Sequence, residues 1–154
     1  MLTEEERKEI EAELRNHRNK QAACFEAMRI VQRRRGWISD EVKDIAVLLN
    51  MTADELDSIA TFYTFLFRRP VGKHIIYMCD GVSCWIMGCD DLLGHLKLRL
   101  KIDMGGTTED GQFTLLPVSC IGTCDHAPAL MIDNELHKDL TREKIDEILD
   151  KYRD

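Results

Sequence analysis

Residues 74–84 read HIIYMCDGVSC, and this stretch decides how the second half of the chain folds. Residues 74–78 are mostly large and apolar, as is typical of a buried strand, and they lead directly to Cys79. Cys84 follows in a C-x4-C arrangement, with Asp80 and Gly81 indicating a loop between the two cysteines. The sequence therefore predicts a strand that ends in a pair of thiols.

A second pair of cysteines follows a second predicted strand. Residues 113–118, FTLLPV, come after an Asp110-Gly111 turn and lead to Cys120 and Cys124 in a C-x3-C arrangement. Loops at the ends of neighbouring strands can close on one site in an open α/β sheet, so we expect the two pairs to meet. Four thiolates are soft ligands, suited to an iron–sulfur cluster or to zinc.

The spacing of the cysteines leaves the identity of the metal open. Structural zinc sites also use paired cysteines, and plant-type ferredoxins share the C-x4-C element but have a third, closely spaced cysteine that this chain lacks. On chemistry alone we favour a binuclear iron–sulfur cluster over zinc, and zinc over disulfides or free thiols. Four residues in the two loops are candidate hydrogen-bond donors to the sulfurs: Ser83, Ser119, Gly122 and Thr123.

Cys89 complicates the choice of ligands, because Cys79, Cys84 and Cys89 are each five residues apart. Cys84 and Cys89 could form the first pair instead of Cys79 and Cys84. We favour a structural role for Cys89, since we expect it a turn or more into a helix as a semi-buried side chain. Cys24 is predicted to be a core residue, and His126 at most a hydrogen-bonding neighbour of the site.

The chain is predicted to consist of an N-terminal helical segment over residues 1–69 and a small two-layer α/β domain over residues 70–154. The aromatic residues within 62–67 are interpreted as core packing between the two regions and not as a platform for a cofactor. Helix boundaries in the first segment are predicted from Gly36 as a stop, Ser39 as a cap, and Thr52 with Glu55 as a capping box.

In the α/β domain we expect the order strand, helix, strand, strand, helix. The first helix should begin near Cys84, where its positive end would favour a thiolate. The third strand should cover residues 129–132 and end at a turn around Asn134, and Thr141 should cap the last helix. Four leucines are expected to line one face of the first helix: Leu92, Leu93, Leu96 and Leu100.

Composition and missing motifs exclude several classes of function. The net charge of −7 argues against nucleic acid as a partner. The apolar stretches are shorter than the ~20 residues that a membrane span needs, and the acidic N-terminus does not look like a signal peptide. A cytoplasmic protein without direct membrane insertion is therefore expected.

There is no G-x-G-x-x-G and no P-loop, and no nucleophilic cysteine or serine pairing stands out. If the protein serves hydride chemistry, another chain must hold the nucleotide and the flavin.

Six motifs together carry a resemblance that extends from about Arg7 to Tyr152. They are GWI at 36–38, ATFYTF at 60–65, PVGKH at 70–74, CDGVSC at 79–84, TTEDGQFTL at 107–115 and CIGTCDHAP at 120–128. With these motifs the chain resembles the NuoE family of subunits of respiratory complex I, the proton-translocating NADH:quinone oxidoreductase. The bacterial members are the most similar.

The resemblance implies a thioredoxin-like domain with a small mixed sheet, preceded by a helical segment that packs on partner subunits. It implies one [2Fe-2S] cluster with Cys79, Cys84, Cys120 and Cys124 as its ligands. The cluster would exchange one electron with FMN on a NuoF-like subunit, which also binds NADH and carries a [4Fe-4S] cluster.

A NuoG-like iron–sulfur subunit would complete the NADH-oxidising module, in the peripheral arm of a complex attached to the inner membrane. The chain would then be part of an oxidoreductase without holding a complete active site itself.

Two alternative functions accompany this interpretation. One is the equivalent diaphorase subunit of an NAD-linked hydrogenase or formate dehydrogenase, which would share the fold and the cysteines. The other is a zinc-stabilised interaction module without a redox role. A thiol–disulfide protein is the weakest alternative, since the chain has no C-x-x-C motif.

Overall fold

The chain folds as two compact units, one over residues 1–70 and one from residue 71 onward, in a computed structural model that describes residues 1–153. Asp154, the last residue of the predicted α/β domain, lies outside the described residues. Within residues 1–153, no helix combines the length and the apolar character needed to cross a membrane.

All regular elements of the first unit, residues 1–70, are helices. Its helices are α1 at Glu4–Leu14, α2 at Cys24–Arg35, α3 at Glu41–Leu49 and α4 at Ala53–Phe62, and a short 3-10 turn at Lys20–Ala23 precedes α2. Each long helix buries one apolar face, and these faces form a shared core that includes Ile10, Met28, Ile45, Leu49 and Leu56. The predicted helical segment is confirmed as a set of helices.

Most of the predicted helix boundaries in this unit are confirmed. Gly36 ends α2 with a φ of 82°, a left-handed conformation that glycine adopts without strain. Thr52 and Glu55 form the predicted capping box at the start of α4. The cap of α3 was predicted one residue too early: Asp40 is the N-cap, and Ser39 instead donates its N–H and hydroxyl to the Glu41 carboxylate at 3.0 and 2.9 Å.

Three of the four aromatic residues within 62–67 are exposed, contrary to the prediction of core packing, while Phe67 is half-buried. Phe62 is 79% exposed, and Tyr63 and Phe65 are 44% and 42% exposed. Tyr63 does pack edge-on against Phe25 and Phe62, with ring centroids about 5 Å apart. Phe25, Phe62 and Tyr63 thus form a cluster of rings near the surface, whereas Leu66, a few residues beyond the end of α4, is buried in the helical core.

The second unit is a four-stranded mixed sheet with three helices. The strands are β1 at His74–Cys79, β2 at Phe113–Val118, β3 at Leu130–Ile132 and β4 at Glu135–His137, in the order β2-β1-β3-β4. β1 and β2 are parallel, whereas β3 is antiparallel to both of its neighbours. The helices are α5 at Val82–Ile86, α6 at Cys89–Leu100 and α7 at Arg142–Lys151. This is the α/β class with a small mixed sheet that the sequence predicts.

Two features of this unit differ from the prediction. The single helix expected from near Cys84 is two helices, because Gly88 adopts a φ of 90° and separates α5 from α6. The three-residue strand β4 was not predicted. The turn at Gly111 and the cap at Thr141 are confirmed. On the predicted leucine face, Leu92, Leu96 and Leu100 are buried and Leu93 is half-buried against the same core.

The sheet brings three strand ends to one edge. Cys79, the last residue of β1, pairs with Val118, the last residue of β2, so both parallel strands end at the same level. The antiparallel strand β3 starts at that edge, where the Cys79 N–H donates to the Ala129 carbonyl at 3.3 Å. The loop from β2 to β3 therefore begins and ends beside the loop that follows β1.

Candidate metal centre

The two cysteine-bearing loops touch each other at Asp80 and Gly81. The Asp80 N–H donates to the Val118 carbonyl at 3.0 Å, which extends the β1–β2 pairing beyond the strands. A Cβ atom on Gly81 would lie 2.8 Å from the Ser119 carbonyl oxygen and 3.9 Å from the Cys120 Cβ. The loops can approach this closely only because residue 81 has no side chain.

The second pair of thiols has the separation that a shared metal ion requires. The Sγ atoms of Cys120 and Cys124 lie 3.7 Å apart. Two thiolates on one tetrahedral metal, with bonds of about 2.3 Å, are separated by about 3.8 Å. The Gly122 N–H donates to the Cys120 sulfur at 3.3 Å. Such a hydrogen bond stabilises negative charge on a thiolate.

The first pair of thiols is buried, whereas the second pair is exposed. Cys79 and Cys84 are each 3% exposed, while Cys120 and Cys124 are both exposed to solvent. Burial raises the pKa of Cys84 to about 11, and a hydrogen bond with the Cys79 thiol adds to the rise. Without a metal this thiol is therefore protonated at neutral pH, and a bound metal has to displace the proton.

Ser83 links the two pairs. The hydrogen bond with Cys120 raises the pKa of Cys124, and a hydrogen bond with the Ser83 side chain opposes this rise. Of the four donors predicted near the sulfurs, Ser83 and Gly122 thus have contacts with a cysteine sulfur.

The four predicted residues thus lie together as two pairs at one edge of the sheet. A binuclear cluster takes two thiolates per iron, and the two pairs supply this donor set. Among residues 1–153, no group of three or more His, Cys, Asp or Glu side chains is arranged to hold a single metal ion. Cysteine chemistry, paired spacing and the N–H donor at Cys120 all fit a [2Fe-2S] cluster.

Cys89 is buried at 4% exposure and belongs to the same apolar core as Cys79 and Cys84. It is the first residue of α6, not a turn or more into a helix as predicted, because Gly88 starts a new helix there. Burial and, next, the neighbouring Asp90 raise the pKa of Cys89. It is therefore a core thiol whose burial disfavours the charged thiolate.

The structure also places the three other features that the sequence analysis considered: the helix start at Cys84, Cys24 and His126. Cys84 is the third residue of the five-residue α5, so it does not open a long helix and gains no long helix dipole. Cys24 is half-buried in the helical unit. His126 is exposed and pairs through Nδ1 with the Asp139 carboxylate at 3.0 Å.

Comparison with known proteins shows which family the chain matches. Residues 10–153 match the family of thioredoxin-like [2Fe-2S] ferredoxins. The E subunits of the NADH-quinone oxidoreductases of Pseudomonas aeruginosa and Escherichia coli K12 are each 44% identical over 153 residues, which is 99% of this chain and 92% of each relative. The corresponding protein of Buchnera aphidicola subsp. Acyrthosiphon pisum is 41% identical over the same share of this chain and 94% of its own length.

Solved structures with the same fold include an NAD+-reducing [NiFe]-hydrogenase. Its structure in the H2-reduced state matches 89% of this chain with a TM-score of 0.72 and 24% sequence identity. The structure of the air-oxidised state matches 87% with a TM-score of 0.68. This chain spans 22–23% of the hydrogenase chain, and at this identity the likeness concerns the fold.

Proposed function

The chain belongs to the thioredoxin-like [2Fe-2S] ferredoxin family, and from this premise we propose that it is an electron-transfer subunit of an NADH-oxidising complex. It holds one [2Fe-2S] cluster through Cys79, Cys84, Cys120 and Cys124. The observation that carries this assignment is the convergence of two cysteine pairs where β1 and β2 end side by side. When bound, the cluster supplies reversible one-electron transfer.

The chain's own residues prepare the site in three ways. The sheet places Cys79 and Cys84 in the apolar core, which excludes water from one side of the site. Gly81 allows the second loop to approach, and the Gly122 N–H stabilises the charge on Cys120. The exposed Cys120 and Cys124 leave the other side open to an electron donor or acceptor.

The relatives favour complex I as the complex in question. Identity of 44% over 92% of a subunit of NADH-quinone oxidoreductase supports the same role here, whereas the hydrogenase shares only the fold. A zinc-stabilised module is not favoured, because the family is one of [2Fe-2S] proteins. The chain has no dinucleotide motif, so NADH and FMN belong to a NuoF-like partner; a NuoG-like subunit completes the module in the peripheral arm.

Metal analysis of the purified chain tests this function. We expect about two iron and two sulfide per chain, visible absorption, and an EPR signal that appears on reduction. The chain should also co-purify with a flavoprotein subunit. A colourless protein with stoichiometric zinc would contradict the proposal.

Serine substitutions test the ligand assignment. Cys120→Ser and Cys124→Ser should each lower the iron content or shift the EPR signal, because a hydroxyl is a harder and weaker ligand than a thiolate. Cys24→Ser in the helical unit is the matched control and should retain the full cluster. If Cys89→Ser abolished the cluster while Cys79→Ser did not, the assignment of the first pair would be wrong.

A further inference from the structure

The Ser83 side chain reaches from the first cysteine loop to the second. Ser83 lies in the first turn of α5, directly before the buried Cys84, and is itself half-buried. Its hydroxyl hydrogen-bonds to Cys124, which belongs to the loop that follows the other parallel strand. Together with the backbone contact at Gly81, this polar contact joins the two loops.

The direction of the hydrogen bond is fixed once Cys124 binds a metal. A thiol can donate or accept, whereas a metal-bound thiolate has lost its proton and can only accept. A serine hydroxyl has one proton to donate. In the cluster-loaded chain Ser83 is therefore the donor and the Cys124 sulfur the acceptor.

The donors around the sulfurs are of two kinds. The Gly122 N–H donates to the Cys120 sulfur at 3.3 Å, and the Ala129 N–H donates to the sulfur of Cys84. Both are backbone groups, which an exchange of side chains leaves in place. Ser83 donates from its side chain, so a single substitution removes this donor and no other.

A donor at a ligand sulfur acts differently on the two redox states of the site. Reduction adds one electron and therefore one negative charge, and a hydrogen bond to a more negative acceptor is stronger. The donor thus stabilises the reduced state more than the oxidised state, which raises the reduction potential. Because Cys124 is exposed, water replaces part of a lost donor, and the expected shift is modest.

We propose that Ser83 is a positioning residue for the cluster: its hydroxyl donates to the Cys124 thiolate and gives the cluster a higher reduction potential than it would have without this donor. The inference rests on the proposed function, because it requires that Cys124 is a ligand. It goes beyond that function by naming one side chain that sets how readily the subunit accepts an electron.

Redox titration of the full, cluster-loaded chain, followed by EPR, tests the proposal. We expect Ser83→Ala to retain its iron and sulfide but to have a lower midpoint potential. At a fixed potential, the ratio of reduced to oxidised cluster should fall about threefold, which corresponds to about 30 mV for one electron. Ser58→Ala is the matched control, since the Ser58 hydroxyl donates to a main-chain carbonyl in the helical unit, and its potential should equal that of wild type.

Ser83→Thr and Ser83→Val form a second pair that separates the hydroxyl from the shape of the side chain. The threonine variant should have the higher potential of the two, and this comparison remains valid if Ser83→Ala does not load with iron. Equal potentials within both pairs would overturn the proposal. So would loss of the cluster from both variants without a hydroxyl, because the hydroxyl would then be needed for binding. A wild-type chain without iron, or without an EPR signal on reduction, would instead contradict the proposed function.

Discussion

Gly81 shows how a single residue lets two distant parts of the sequence form one site. Its position between Cys79 and Cys84 places it against the carbonyl of Ser119, at a distance that a methyl group cannot share. The contact is made with backbone, which cannot rotate out of the way as a side chain can. The approach of the two loops therefore depends on this glycine.

We expect Gly81→Ala to push the loops apart at a cost of about 1–3 kcal/mol, the usual range for overpacking. The variant should bind less iron per chain and unfold at a lower temperature. Gly94→Ala is the matched control, because nothing lies within 4 Å of its Cβ position in α6. It should raise the free energy of unfolding by about 0.5–1 kcal/mol. Full iron content and unchanged stability in Gly81→Ala would show that the loops do not need this contact.

Among the elements, α1 and α2 are joined by a buried carboxylate. Glu6 is 1% exposed and accepts hydrogen bonds from Arg35 Nε and Nη2 at 2.7 and 2.5 Å. Arg35 also donates to Glu41 at 2.6 Å. The hydrogen bond from Arg35 is the main reason that the pKa of Glu6 falls from its ordinary 4.5 to about 2, although burial opposes it.

This lowered pKa predicts a dependence of stability on pH. The ionised Glu6 stabilises the fold at pH values above about 4.5, and this contribution of about 3 kcal/mol is lost as the pH falls from 4.5 towards 2. Urea unfolding followed by circular dichroism should therefore show a gap between wild type and Glu6→Gln at pH 6 that narrows through pH 4 and pH 3.

Glu5→Gln is the control for that experiment. It removes an exposed ion pair with Arg34, which contributes little to stability because solvent screens the two charges. Acid sensitivity of the metal site is common to all three proteins, so only the difference between them is informative. Parallel stability curves for wild type and Glu6→Gln over this pH range would rule out Glu6 as the responsible group.

The sequence predicted those elements whose signals are local. The apolar run that forms β1 and the Thr52–Glu55 capping box are read directly from neighbouring residues. The break between α5 and α6 at Gly88 was not predicted. With five residues, α5 is too short to show a helical pattern of apolar residues that differs from the leucine face of α6. The exposure of Phe62 was missed since hydrophobicity alone does not tell whether an aromatic side chain is covered by its own chain or by another protein.

At the site, the meeting of the two cysteine pairs was predictable from the sequence, whereas their different burial was not. That the two cysteine pairs meet followed from strand topology, since parallel strands end at one edge of a sheet. That Cys79 and Cys84 are buried while Cys120 and Cys124 are exposed depends on which elements cover each loop, and no local pattern contains this information.

At the scale of the whole molecule, the chain has two apolar cores that share no residue. One lies among α1 to α4, and the other lies between the sheet and its helices and includes Cys79, Cys84 and Cys89. A metal that binds only the native state stabilises the fold by mass action. All four proposed ligands belong to the second unit.

Removal of the cluster should therefore loosen the second unit in preference to the first. After reduction and chelation of iron, hydrogen exchange should become faster in residues 74–79 and 113–118, where the strands lead into the ligand loops, because local opening no longer competes with metal binding. Exchange in α2 and α3 should change little and serves as the internal control. Equal loss of protection in both units would mean that they unfold as one cooperative body, and the stabilising effect of the cluster would then extend over the entire chain.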